Sequence, residues 1–138
     1  CTSLGVNIRV GVPKGYNPDA KTIEVSKKIA KETGCSVEIT NDVKEAVSGS
    51  DVVYTDVWAS MGQESEKEKR LKVFKGFTLT KELFALAGKG AIALHCLPAH
   101  KGEEISEEVF NMNSQYIYEE AENRMHAQMA IMSSIVKE

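Results

Sequence analysis

The chain has 138 residues, 17 Lys plus Arg against 20 Asp plus Glu, a net charge of -3, 42% hydrophobic residues and 27% charged. Those values exclude disorder, collagen and disulfide scaffolds and fit one soluble domain, because a chain this long buries roughly two-thirds of its unfolded surface. The slight acidity argues against nucleic-acid and anionic-membrane partners, which need a dense Lys/Arg face to displace counterions.

Residues 6–12 alternate in polarity and are rich in β-branched side chains, which predicts a strand ending at Pro13 and Gly15. A helix follows, with Asn17 as N-cap, Pro18 in its first turn, and Ile23, Val25, Ile29 and Ala30 at helical spacing until Gly34 stops it. Residues 36–40 read as a half-buried strand, Asp42 caps a short helix through Val47, and residues 51–55 resume as a buried strand. Residues 63–70 offer no apolar anchor and are expected to form a solvated loop running into a helix. With Gly62 and Gly76 as hinges, residues 60–75 are expected to act as a mobile lid. Residues 80–87 predict a helix, and residues 91–95 a buried strand with Cys96, Leu97 and Pro98 at its carboxyl end. A turn capped by Ser106 precedes a last strand over 115–118 and a final helix over 119–136, whose Met125, Met129 and Met132 are expected in the core.

Strands alternating with helices predict an α/β fold, a doubly wound parallel sheet in a single domain over residues 1–138. The longest apolar runs are too short to cross a bilayer, and no leader-like segment opens the chain. Cys1, Cys35 and Cys96 are odd in number, far apart and without a C-x-x-C pair. That spacing gives neither a disulfide framework nor a zinc knuckle, and suits a reducing, intracellular setting.

Ligands of such sheets sit beyond the carboxyl ends of the strands. The strand from Asp51 delivers Asp56, Trp58, Ser60 and Met61 to that edge, the strand from Ala91 delivers His95, Cys96, Leu97 and Pro98, and the strand from Gln115 delivers Glu119, Glu122, Asn123 and Arg124. Asp56 can hold an ammonium group, and Ser60 with exposed backbone amides a carboxylate, which together describe an amino-acid recognition loop. Ordinary turn capping by Asp56, with Trp58 filling core, is the plain alternative. At the next strand end, nearby cations would ease loss of the Cys96 proton, and a cis Leu97-Pro98 bond would turn a carbonyl into the pocket. A buried, inert thiol beside a core histidine is the alternative there. Glu119, Glu120 and Glu122 suit the first turn of a helix through its dipole alone, and Arg124 can bind an anion or pair with them. Glu103, Glu104, Glu107 and Glu108 read as a solvated face, with no His or Asp at ligand spacing to complete a metal site.

Together, Asp-Val-Trp-Ala-Ser-Met-Gly at 56–62, His-Cys-Leu-Pro at 95–98 and Glu-Glu-Ala-Glu-Asn-Arg-Met-His-Ala-Gln at 119–128 closely resemble the ornithine carbamoyltransferase family, over nearly the whole chain. The Ser-Met-Gly step resembles the ornithine type, since aspartate carbamoyltransferases lack it and the Cys of His-Cys-Leu-Pro. The resemblance implies a Rossmann-like three-layer domain. It implies transfer of a carbamoyl group from carbamoyl phosphate to the δ-amine of L-ornithine, giving L-citrulline and phosphate, in the cytoplasm or in a eukaryotic mitochondrial matrix. Cys96 and Asp56 are implied as catalytic residues, Asp56, Ser60 and Met61 as contacts to ornithine, Cys96, Leu97 and Arg124 as contacts to carbamoyl phosphate, and His95 and Pro98 as their support. No metal or organic cofactor is called for, and a trimer-based homo-oligomer is the implied assembly. The chemistry agrees, because an ammonium with a pKa near ~10 must lose a proton before it attacks, and Cys96 and Asp56 are the candidate acceptors.

Family members are much longer, with an N-terminal domain whose Ser-x-Arg-Thr-Arg and His-Pro-x-Gln motifs bind most of the carbamoyl phosphate; neither motif occurs here. Residues 1–4 resemble the segment just after the second domain's first strand, and Gly5 follows Leu4 where the family has most of a helix. The expectation is an ornithine-binding domain that lacks its first strand, most of its first helix and its carbamoyl phosphate-binding partner, and is inactive alone. Loss of a central strand would leave neighbouring backbone edges uncovered. Two other readings stay open: a non-catalytic amino-acid-binding or interaction module, and a carbamoyltransferase for another amine such as acetylornithine or putrescine.

Overall fold

The computed structural model describes residues 1–59 and 64–136. A 3-10 turn, Thr2–Leu4, leads into strand β1, Ile8–Gly11, helix α1, Ala20–Thr33, and strand β2, Val37–Thr40. Helix α2, Val43–Val47, and strand β3, Val52–Thr55, come next, then helices α3, Glu64–Val73, and α4, Lys81–Phe84. Strand β4, Ile92–His95, and the long helix α5, Glu107–Ile135, follow.

Side-chain caps set where the helices begin. Asp19, not Asn17, caps α1, because its carboxylate accepts the Thr22 N–H at 3.0 Å and the Thr22 hydroxyl as well. Asp42 caps α2 through the N–H groups of Lys44 and Glu45. Thr80 caps α4, which is a single turn and shorter than the expected 80–87. Ser106 accepts the Val109 N–H at 3.3 Å and opens α5, so the expected strand over 115–118 is a helical segment. Packing explains that correction. Val109, Phe110, Asn113 and Ile117 are all buried at helical spacing, and this continuous face outweighs the local β preference of Tyr116, Ile117 and Tyr118.

The parallel α/β architecture stands. Among the described residues, β1 pairs only with β2, with Ile8 opposite Val37 and Gly11 opposite Thr40, and β3 only with β4, with Val52 opposite Ile92 and Thr55 opposite His95. Two parallel pairs thus stand with no ladder between β1 and β3 among the described residues, in line with the uncovered strand edges expected of a sheet lacking its first strand. A cavity of about 330 Å³, lined by Gly11, Val47, Val53, Phe74 and Leu83, lies between them. On β3, Val52 and Tyr54 are 48% and 54% exposed, high values for a strand inside an α/β domain.

The core joins β4 to α5 and the segment before them: Leu79, Leu83, Ala93, Ile105, Val109, Phe110 and Ile117 are buried. Asn113 closes the outer edge of β4, accepting the Ala93 N–H at 2.9 Å and donating to Val109 O at 3.0 Å. The second half of α5 departs from expectation, because Met125, Met129 and Met132 are exposed rather than in the core. α3 also departs. Arg70 supplies the anchor that apolar residues do not: it is 23% exposed, pairs with Glu66 at 3.1 Å, donates to Trp58 O at 3.1 Å and lies over the Tyr16 ring. Phe74 then stacks on Trp58 with ring centroids 5.7 Å apart. Of the expected lid, residues 64–73 are therefore a docked helix, while residues 60–63 lie outside the described residues. No helix among the described residues is long and apolar enough to cross a membrane.

Candidate functional site

The register of β3 and β4 builds the centre of the site. Thr55 faces His95 across the pair, so the next residues, Asp56 and Cys96, leave adjacent strand ends side by side. The Cys96 thiol donates to Asp56 Oδ1 at 3.0 Å, and the Val57 N–H donates to the same oxygen at 2.7 Å. One turn of α5 faces this pair. Tyr54 donates its phenol proton to Glu120 Oε1 at 2.6 Å, and Arg124 Nη1 donates to the Cys96 carbonyl at 3.4 Å. Arg124 reaches the rim from the middle of a long helix, not from a helix start, so neither it nor Glu119, Glu120 and Glu122 is placed by an N-terminal dipole.

Burial pushes the Cys96 thiol above its ordinary value, and the Asp56 carboxylate beside it pushes the same way. This reverses the expectation that Cys96 loses its proton easily. Burial, then the bond to Glu120 and its charge, raise the Tyr54 phenol likewise. At neutral pH the cluster therefore presents a protonated thiol and a protonated phenol, each directed at a carboxylate.

His95 is fully buried and acts on the backbone. Its Nδ1 accepts the Leu97 N–H at 2.9 Å; a backbone amide can only donate, so the ring proton sits on Nε2 and is given to Glu104 Oε1, also at 2.9 Å. The His100 N–H reaches the same oxygen at 2.6 Å. Glu104 is thus a buried anchor and not part of a solvated face. The loop it holds has a cis Leu97-Pro98 peptide and Leu97 at φ 56. That left-handed conformation costs roughly 1–2 kcal/mol for a residue with a side chain, and the bond to His95 offsets part of it. Arg124 meets this loop at the Cys96 carbonyl, and Pro98 is exposed after it.

His100, Glu103 and Glu104 place ligand-type atoms within 4.8 Å of one another, a grouping that sequence spacing did not reveal. The acidic members are already engaged, Glu104 by His95 and the His100 amide and Glu103 by Lys67 at 3.2 Å. Of the residues expected at the site, Asp56, Cys96, Leu97 and Arg124 come together, with His95 directly behind them. Ser60 and Met61 lie outside the described residues. Tyr54, Glu104 and Glu120 were missed. Reading one helix from Ser106 onward would have placed Glu120 and Arg124 on one face.

The family model for the aspartate/ornithine carbamoyltransferase Asp/Orn-binding domain matches residues 1–135. This chain belongs to that family. It is 52% identical over 131 residues to an ornithine carbamoyltransferase of Campylobacter curvus, covering 95% of this chain and 43% of that protein. The anabolic ornithine carbamoyltransferase of Campylobacter jejuni superposes with a TM-score of 0.92 at 40% identity, over 96% of this chain and 44% of that one. The ornithine carbamoyltransferase of Pyrococcus furiosus gives 0.90 at 43% identity, over 99% and 44%. The chain therefore spans less than half the length of these carbamoyltransferases and corresponds to their Asp/Orn-binding domain.

Proposed function

We propose that this chain is the amino-acid-binding half of an ornithine carbamoyltransferase, forming L-citrulline and phosphate from L-ornithine and carbamoyl phosphate together with a second, carbamoyl phosphate-binding half. The observation that carries this reading is the Cys96 thiol bonded to Asp56, with Arg124 on the Cys96 carbonyl, in a domain of this family. Asp56 is the acceptor for the proton that the δ-ammonium must lose. Cys96 keeps its own proton and orients that carboxylate. Ser60 and Met61 hold the amino-acid end. The Cys96 and Leu97 carbonyls accept the carbamoyl N–H groups and so set the plane of the electrophile, and Arg124 adds positive charge where phosphate departs.

One arginine does not neutralise a leaving phosphate, so the remaining donors belong to the partner half. That half also accounts for the exposed apolar run Met125, Met129, Ile131, Met132 and Ile135 on α5. The free cysteines suit the cytoplasm or a mitochondrial matrix, and a trimer-based homo-oligomer is part of the same proposal, readable by sedimentation. Amide NMR tests the binding role. Ornithine added with carbamoyl phosphate to the reassembled halves is expected to shift the signals of Asp56, Val57 and Cys96, and a response confined to residues remote from them would sink the assignment.

A further inference from the structure

The turn that follows Pro98 converges three side chains. The Glu103 N–H donates to His100 O at 2.9 Å, closing a four-residue turn whose third residue, Gly102, has φ 93, a conformation that favours glycine. The next residue is fixed from behind. Glu104 O accepts the Leu79 N–H at 2.9 Å, the Ser106 N–H donates to Leu79 O at 3.1 Å, and Ile105 between them is fully buried. His100, Glu103 and Glu104 therefore bring an imidazole nitrogen and two carboxylates within 4.8 Å of one another on a braced backbone.

Each carboxylate is engaged through one oxygen and keeps the other. Glu103 Oε1 meets Lys67 at 3.2 Å, and Glu104 Oε1 takes both His95 Nε2 and the His100 N–H. Glu104 Oε2 is no ordinary spare oxygen, because the whole residue is buried and this atom has no hydrogen-bond partner among the described residues. An orphaned buried acceptor bears its full desolvation penalty, more so on a charged group. The atom faces His100, whose Nδ1 lies 3.9 Å away, beyond hydrogen-bond length, so the ring is not its direct partner.

Bond lengths admit an ion between them. Two metal bonds of about 2.1 Å span at most about 4.2 Å, so one ion reaches both Glu104 Oε2 and His100 Nδ1 across 3.9 Å. The side chains of Glu103 and His100 reach solvent and have room to turn inward and complete the set. Lys67 offsets one of the two carboxylate charges, which leaves the site anionic. An imidazole nitrogen with two carboxylates suits zinc and its first-row neighbours, whereas calcium and magnesium take oxygen ligands. We propose that His100, Glu103 and Glu104 bind one zinc-like divalent metal ion, with water completing its coordination. The ion sits on the far oxygen of the carboxylate that holds His95, and His95 in turn holds the Leu97 N–H, so occupancy bears on the loop that carries Cys96. This goes beyond the carbamoyltransferase reading and holds whether or not ornithine binds.

Zinc alone, titrated into the full chain and followed by calorimetry and amide NMR, tests it. The proposal expects one ion at this turn, with shifts at His100, Glu103 and Glu104, and a dissociation constant raised about tenfold or more in His100→Ala and in Glu103→Gln. Both side chains reach solvent, so neither substitution disturbs the core. His126→Ala, which removes the exposed pair with Glu122, should leave the affinity at this turn unchanged. No zinc bound at millimolar concentration would leave water as the partner of Glu104 Oε2 and overturn the site. Shifts confined to the surroundings of Cys1, Cys35 or Cys96 would put the ion on a thiol, and an affinity indifferent to His100 and Glu103 would put it elsewhere; either result overturns the assignment.

Discussion

At the scale of single residues, Cys96 and Asp56 share one proton-bearing contact, and its sign decides what the thiol does. A raised thiol pKa means that the folded state holds its proton longer than the unfolded chain. Stability from this contact is therefore present below the ordinary thiol range and is lost as pH rises through the higher folded value. Asp56→Asn removes the like charge but leaves the burial, so the thiol midpoint should fall in a thiolate absorbance titration, and an unchanged midpoint would assign the whole shift to burial. Alkylation of Cys96 by iodoacetamide at neutral pH is correspondingly expected to be slow, with mass spectrometry reading the site. Asp56, Cys96, Leu97 and Arg124 were legible in the sequence because polar residues directly after an apolar strand, or in a distinctive motif, announce a rim. Glu104 was not, since its pairing with His95 depends on a loop that folds back on itself. The Tyr54 contact to Glu120 was equally hidden, because it joins a strand to a helix whose start had been placed too late.

At the scale of elements, Asn113 does what no backbone neighbour does for β4. Asn113→Ala leaves the Ala93 N–H buried without a partner and is expected to cost about 2 kcal/mol, read as a lower urea midpoint with unchanged slope. A loss within a few tenths would mean that water replaces the amide. The helix carrying this residue shows where local preference misleads. Tyr116, Ile117 and Tyr118 read as a strand by composition, yet the Ser106 cap and the buried positions 109, 110, 113 and 117 belong to one helical face. Ser106→Ala should cost about 1 kcal/mol by removing that cap, measured in the same way. For α3 the missing signal was a cation: Arg70 docks through a carbonyl and an aromatic ring, contacts that a search for apolar anchors passes over.

At the scale of the whole molecule, alternation of strands and helices was enough to indicate a parallel α/β domain, and three short motifs were enough to indicate the family. Although the family resemblance, with its first strand lacking, anticipated it, the division of the sheet into two pairs was not visible in the pattern of apolar residues, since β1 and β3 each read as complete strands. Nor was exposure of the second half of α5, whose methionines have the spacing of a core stripe but find no partner among the described residues. The most direct measurement is citrulline formation when the purified chain is mixed with the separately produced carbamoyl phosphate-binding half of the Campylobacter jejuni relative. The account predicts product from the mixture only, with Arg124→Ala weakening the dependence on carbamoyl phosphate more than that on ornithine. Citrulline from the chain alone, or none from halves that demonstrably associate, would contradict it.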